Sequence, residues 1–229
     1  MAFERAPLLF PELTSQDTPS GRKYVTPAGS FPSITTILSG SADNTWLEQW
    51  RERVGEEKAN EISKAATEKG TGLHTLCECH ILGTEVPKGI PGHSQIMFSY
   101  IKPLLNKHLG IVCGVEVPLY SAELGVAGRT DLIGFWDKKL SVIDYKSNHS
   151  NANKKDADIE DYFIQICAYS IMWNELIRKH EGPTIKQGVI LMASKYGRQI
   201  WVFNPYDYEE KLHERIRLYH ELKGGNHAN

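Results

Sequence analysis

Three charged residues, Asp131, Asp144 and Lys146, stand in a stretch that otherwise reads as a β-hairpin, Gly128 to Asn148 (GRTDLIGFWDKKLSVIDYKSN). Runs of β-prone residues over about 129–136 and 139–147 flank Asp137-Lys138. That polar break is short enough for a two-residue hairpin loop, although it lacks the favoured glycine. Pairing Trp136 with Lys139 sets Asp131 directly opposite Asp144, and Lys146 then shares the face of Asp144, two residues along. The rest of that face is Ile133, Phe135, Leu140 and Val142, which a sheet turns toward its core. Two carboxylates at the end of an apolar face do not both persist as free anions a few ångströms apart, so one protonates or a cation lies between them. Oxygen ligands favour Mg²⁺ or Mn²⁺ over Zn²⁺ in that place. The competing reading makes Asp131–Arg129 and Asp144–Lys146 ordinary surface ion pairs.

The elements that would position these groups are readable on both sides. Upstream, Gly70-Thr71-Gly72 is expected to break a charged helical stretch (about 55–69), and a new helix over 72–82 puts His74, Glu78 and Ile81 on one side. A strand over 111–120 alternates Val115, Val117 and Leu119 against Glu116; strict alternation turns Glu116 away from the apolar face, whereas a bulge or twist would bring it inward to bind a second metal or fix a water. Downstream, residues 159–180 carry an apolar stripe of Ile164, Ala168, Ile171, Met172 and Leu176, the longest helix expected, with Gln165 and Tyr169 one turn apart beside it. Two closing strands, 188–193 and 199–203, are joined by a tip bearing Lys195 and Arg198, and a charged helix over 206–223 ends at Gly224-Gly225.

Earlier in the chain, residues 1–30 read as irregular or as one short hairpin around 22–26. Residues 31–38 open a short helix with Ser33 as N-cap, and Asp43 or Asn44 caps a helix carrying Trp46 and Trp50 at i, i+4. Those tryptophans either pack in the core or stack on bases of a single strand. A loop over 86–92 leads to a helix over 93–108, interrupted or kinked at Pro103. The polar loop 148–158 is either plainly solvated or lies along a phosphate backbone through His149, Lys154 and Lys155.

The G-x-x-D of Gly128–Asp131, the Asp144-Tyr145-Lys146 that follows an apolar run, Gln165-x-x-x-Tyr169, and Gly72-Leu73-His74 upstream resemble, in that order, the RecB-type branch of the PD-(D/E)xK nuclease superfamily. The Pro32-Ser33-Ile34-Thr35 opening, more softly, is similar to the start of the mitochondrial genome-maintenance exonucleases and their phage relatives. The resemblance implies an α/β (α+β) fold: a central mixed β-sheet of about five strands flanked by helices, a restriction-endonuclease-like core over 70–229, with 1–69 an irregular and helical region packed on it. It implies a metal site of Asp131, Asp144, the Tyr145 carbonyl, His74 and, for a second ion, Glu116, holding one or two Mg²⁺ or Mn²⁺ ions. Lys146 would position or deprotonate the attacking water, with Gln165 and Tyr169 near the scissile phosphate. Substrate would be DNA, single-stranded or end-containing, met by Arg129, His149, Lys154, Lys155, Lys195, Arg198, Trp46 and Trp50. The expected activity is that of a metal-dependent DNA exonuclease. The rivals are a structure-specific endonuclease using the same site and a catalytically silent DNA-binding recombination partner.

Composition sets further bounds. With 229 residues, 41% hydrophobic, the chain is long enough for one substantial core. A net charge of −2 does not suit a protein that coats nucleic acid, so DNA contact needs a local basic strip. No G-x-x-x-x-G-K-[ST] phosphate loop occurs, so any unwinding falls to a partner such as a helicase, with a polymerase or single-strand-binding protein as further candidates. Cys77 and Cys79 point about 200° apart on a helix, which argues against zinc, and no cysteine follows Cys167 to build an iron–sulfur cluster. No apolar run reaches membrane-spanning length, and the N-terminus has neither signal nor transit character. The expected setting is intracellular, a bacterial or phage-infected cytoplasm.

Overall fold

The computed structural model describes residues 3–6, 10–148, 150, 152–178 and 182–225. Strands β1 (Thr14–Thr18), β2 (Gly21–Thr26) and β3 (Gly29–Pro32) pair antiparallel in that order. This sheet exceeds the single hairpin expected from sequence. Its side chains are mainly small and polar, and its apolar anchors are Leu13 and Tyr24, buried against Ala127, with Phe31 packed beside them.

Helix α1 (Ile34–Gly40) starts as its sequence predicts, with the Ser33 hydroxyl accepting from the Thr36 N–H. Helix α2 (Thr45–Val54) buries none of its residues. Helix α3 (Glu56–Leu82) runs unbroken through Gly70-Thr71-Gly72, against the expected break. The glycines serve packing instead: a Cβ on Gly72 would lie 2.6 Å from Ser94 Oγ. Ser94 belongs to α4 (Gly92–His108) and donates to the Lys69 carbonyl at 3.0 Å, so glycine here lets the two helices touch. Glycine costs roughly 1 kcal/mol inside a helix, and the close approach of α4 is what it permits here. The α4 helix continues through Pro103.

Strands β4 (Leu109–Ser121), β5 (Val126–Trp136) and β6 (Lys139–Ser147) then form a meander. Helix α5 (Glu160–Arg178) crosses over to β7 (Gln187–Ser194), and β8 (Gly197–Phe203) and α6 (Glu209–Gly225) close the chain. The five strands lie in sequence order; β6 and β7 are parallel and the other neighbours antiparallel, so the sheet is mixed, as expected. A parallel pair requires a crossover, which α5 supplies.

One sheet face, with Ile133, Leu140, Val142 and Ile190, packs on α5, α1 and α6. The other, with Leu132, Ile143, Val189 and Leu191, packs on α3 and α4. The β5–β6 turn has Asp137 at φ 48° and Lys138 at φ 67°, both left-handed, so this tight hairpin forms without glycine. Its register runs from Trp136↔Lys139 to Leu132↔Ile143, one pair short of the two aspartates.

Candidate active site

The strands separate where the site begins. Just past the last β5–β6 pair, Asp131 Oδ2 accepts from the Tyr145 backbone N–H at 2.8 Å. Its other oxygen lies 3.3 Å from His74 Nδ1 on α3. Asp144, only 3% exposed, pairs with Lys146 Nζ at 2.7 Å. The amine also donates to Gln165 Oε1 at 3.2 Å and lies 4.6 Å above the Tyr162 ring. Gln165 Nε2 in turn donates to the Tyr169 hydroxyl at 3.3 Å. Helix α5 thus supplies two of the lysine's contacts, and Tyr145 packs edge-on to the His74 ring, 5.8 Å between centroids.

Glu116 reaches the site through backbone distortion. Its φ is 51°, unusual for a residue with a Cβ, and β4 also shifts register between Leu109 and Gly114. In consequence Val115 packs toward α3 and α4 while Val117 packs toward α5. The twist that strict alternation leaves out therefore occurs. Ligand atoms of Glu116, His74 and Asp131 lie within 4.8 Å of one another. An imidazole and two half-buried carboxylates form a donor set that fits a divalent cation of the Mn²⁺ or Mg²⁺ type. Asp144 lies outside that trio and has Lys146 as its counter-ion.

The electrostatics follow from this packing. Burial opposes ionisation of Asp131, yet His74, Lys146 and the Tyr145 N–H together hold its carboxyl below the ordinary range. Burial, with Asp131 adding repulsion, pushes Asp144 up to about 6 even though Lys146 partly offsets it. Burial works against the charged forms of Lys146 and His74, but neighbouring carboxylates raise both. Burial and Asp131 raise Glu116.

Of the residues predicted to meet DNA, Arg129 is exposed and lines a cleft of about 670 Å³ in front of the trio. The others lie elsewhere: Lys155 and Lys195 are exposed, the Lys154 backbone is tied to Gln199, and Arg198 donates to the Tyr100 carbonyl. Trp46 is 67% exposed, so core packing does not explain it, while Trp50 is half-buried. His149 lies outside the described residues. Sequence reasoning missed Tyr162, although its position three residues before Gln165 on one helix was a usable signal.

A lysine and two acidic side chains at the parted ends of neighbouring strands, backed by a crossover helix, are the arrangement of a metal-type hydrolase core. The chain belongs to the PD-(D/E)XK nuclease superfamily, whose sequence profile matches residues 39–222. It is similar to mitochondrial genome maintenance exonuclease 1 of Xenopus tropicalis, 28% identical over a 156-residue alignment that covers 62% of this chain and 42% of that protein. The chain thus matches less than half the length of that relative. Among the described residues no helix is long and apolar enough to cross a membrane.

The first glycine of the G-x-x-D stretch gains a physical reason. A Cβ on Gly128 would lie 2.8 Å from the Tyr169 ring. Gly128→Ala is expected to displace Tyr169, loosen Gln165 and Lys146, and lower nuclease activity at least tenfold, with about 1–3 kcal/mol of overpacking cost. Steady-state cleavage together with thermal unfolding checks this; unchanged kcat would separate the glycine from the site.

Proposed function

We propose that this nuclease is a metal-dependent DNA exonuclease acting on single strands or free ends. The observation that carries the reading is the cleft lined by the His74, Glu116 and Asp131 donors and by Gln165, whose side chain accepts from the Lys146 amine of the buried Asp144–Lys146 pair. The relative's printed name, an exonuclease of genome maintenance, supports the mode of cleavage.

In this reading His74, Glu116 and Asp131 hold the cation, with Asp144 and the Tyr145 carbonyl as further ligands. A bound Mg²⁺ or Mn²⁺ would lower the pKa of a water and draw charge from the phosphoryl oxygens. Lys146, held as an ammonium by the carboxylates around it, aims the attacking water and offsets negative charge on the phosphoryl group; with a cation bound to those carboxylates it would give up a proton more readily and accept that of the water. Gln165 keeps the amine in line, and Tyr162 and Tyr169 shield it from bulk water. Arg129, Lys154, Lys155, Lys195 and Arg198 meet phosphates, and Trp46 and Trp50 stack on bases.

The test is cleavage of 5′- and 3′-labelled single- and double-stranded DNA with Mg²⁺, Mn²⁺ or EDTA. Short products that accumulate from one end, on single strands, only with metal, are expected. Cleavage of closed circles would make the protein an endonuclease. Binding without cleavage under every metal condition would leave a DNA-binding module.

A further inference from the structure

The wall of the cleft facing the acidic centre is built by the N-terminal sheet: Ser15, Arg22 and Tyr24 line it together with Arg129 and Asp131. We propose that Arg22 is a substrate-positioning residue that holds a backbone phosphate of the bound strand other than the one cleaved. This deepens the nuclease reading above and rests on it.

Glu116 and Asp131 already make the cleft acidic, and a DNA strand adds one negative charge per nucleotide. A chain of net charge −2 has no general attraction for it, so the bound metal ion and the cationic side chains of the cleft together must offset the repulsion. Two guanidinium groups line the cleft, Arg22 and Arg129. Arg129 lies on the same strand as Asp131, whereas Arg22 comes from the facing sheet, so a strand threading the cleft has a cation on either side. A guanidinium fork suits phosphate oxygens.

Placement supports the assignment as much as charge does. The Arg22 backbone is bound in three ways: its N–H donates to Thr36 Oγ1 at 3.0 Å, and its carbonyl accepts from the Thr36 hydroxyl at 3.2 Å and the Ser33 N–H at 2.9 Å. Ser33 bridges to Ala127, next to Gly128 at the cleft, and Ile34 and Ile37 anchor α1 in the main core. The Pro-Ser-Ile-Thr-Thr opening therefore has a mechanical role: it registers the β2 wall against the strand that carries Asp131. The side chain itself stays about half exposed, with Nε paired to Asp17 Oδ1 at 2.8 Å and Nη2 to Asp17 Oδ2 at 3.4 Å. That partner leaves the guanidinium unburied and competes with a phosphate for its donors, so the cation does not depend on Asp17 to reach the substrate.

The test uses the full chain and oligodeoxythymidylate of two lengths, with kcat and KM measured across a salt series. Arg22→Gln should raise KM about tenfold with kcat nearly unchanged, the scale of one charge-assisted hydrogen-bonded contact. It should also reduce the salt dependence by roughly one phosphate contact, about 0.7 in the log–log slope for a single strand. Arg22→Lys should recover the slope and part of the KM. Asp17→Asn is the control, because it breaks the same ion pair and leaves the cation. If Asp17→Asn raises KM as much as Arg22→Gln does, or if Arg22→Gln leaves both KM and slope unchanged, the assignment is overturned. Failure of the wild-type protein to cleave DNA at all would instead overturn the nuclease reading on which it rests.

Discussion

Replacing Lys146 with alanine is expected to lower DNA cleavage by about a thousandfold, within the range for a positioned acid–base group. Among the described residues the amine meets Asp144, Gln165 and the Tyr162 ring, and alanine reaches none of them. The pH dependence should move as well. In the metal-free wild type, burial and Asp131 hold Asp144 at about 6, with Lys146 opposing them. Removing the amine takes away the main influence opposing burial, and the carboxyl rises further. The sign for stability is fixed by the same shift. A folded-state pKa above the ordinary carboxylate value of about 3.9 favours the folded protein most at low pH, and the benefit is lost as pH rises through about 6. The gap in Tm between wild type and Lys146→Ala should therefore narrow on acidification from pH 8 to pH 5. Lys146→Met, which keeps most of the packing volume, should cleave as poorly as alanine. Activity within threefold of wild type in either variant would remove the lysine from the mechanism.

Much of this centre was legible in the sequence because hairpins obey a simple rule. β-prone runs around a two-residue break give the pairing of Trp136 with Lys139, and that register sets Asp131 directly opposite Asp144, a pair the ladder stops one step short of. It could not show where pairing stops. After Leu132↔Ile143 the strands part, so Asp131 turns to His74 and Tyr145 N–H while Asp144 turns to Lys146. Gln165 and Tyr169 were legible by helical period and resemblance. Glu116 was left open because its position depends on a positive φ at a residue with no local preference for one.

The misreadings share a cause, which is tertiary packing overriding local preference. Gly70 and Gly72 look like a helix break, yet Gly72 is where α3 meets Ser94. The N-terminal sheet looks irregular because its anchors are few, and Ala127 and Tyr120, which cover it, lie about a hundred residues away. Such contacts leave no periodic trace in the strands themselves. They matter for function, because this sheet supplies one wall of the cleft.

Asp131→Asn is expected to abolish metal binding and, with it, cleavage by at least a hundredfold. Asparagine keeps the shape and still accepts from the Tyr145 N–H, but it takes a full negative charge from the His74 and Glu116 trio. The direct readout is the metal rather than the reaction. Mn²⁺ at a hundred times its Kd should stabilise the wild-type fold by about 2.7 kcal/mol, seen as a rise in Tm, and should leave Asp131→Asn unmoved. A second readout follows from the ion pair with His74. Because the Asp131 carboxyl is held below its ordinary range, its contribution is present above the unfolded value of about 3.9 and is lost as pH falls through the depressed folded value. In EDTA the variant should lack that acid-range component of the stability curve. His74, no longer facing an anion at 3.3 Å, should titrate at a lower pH by NMR. A variant that still gains stability from Mn²⁺ as the wild type does would move the cation away from Asp131, and with it the proposed seat of hydrolysis.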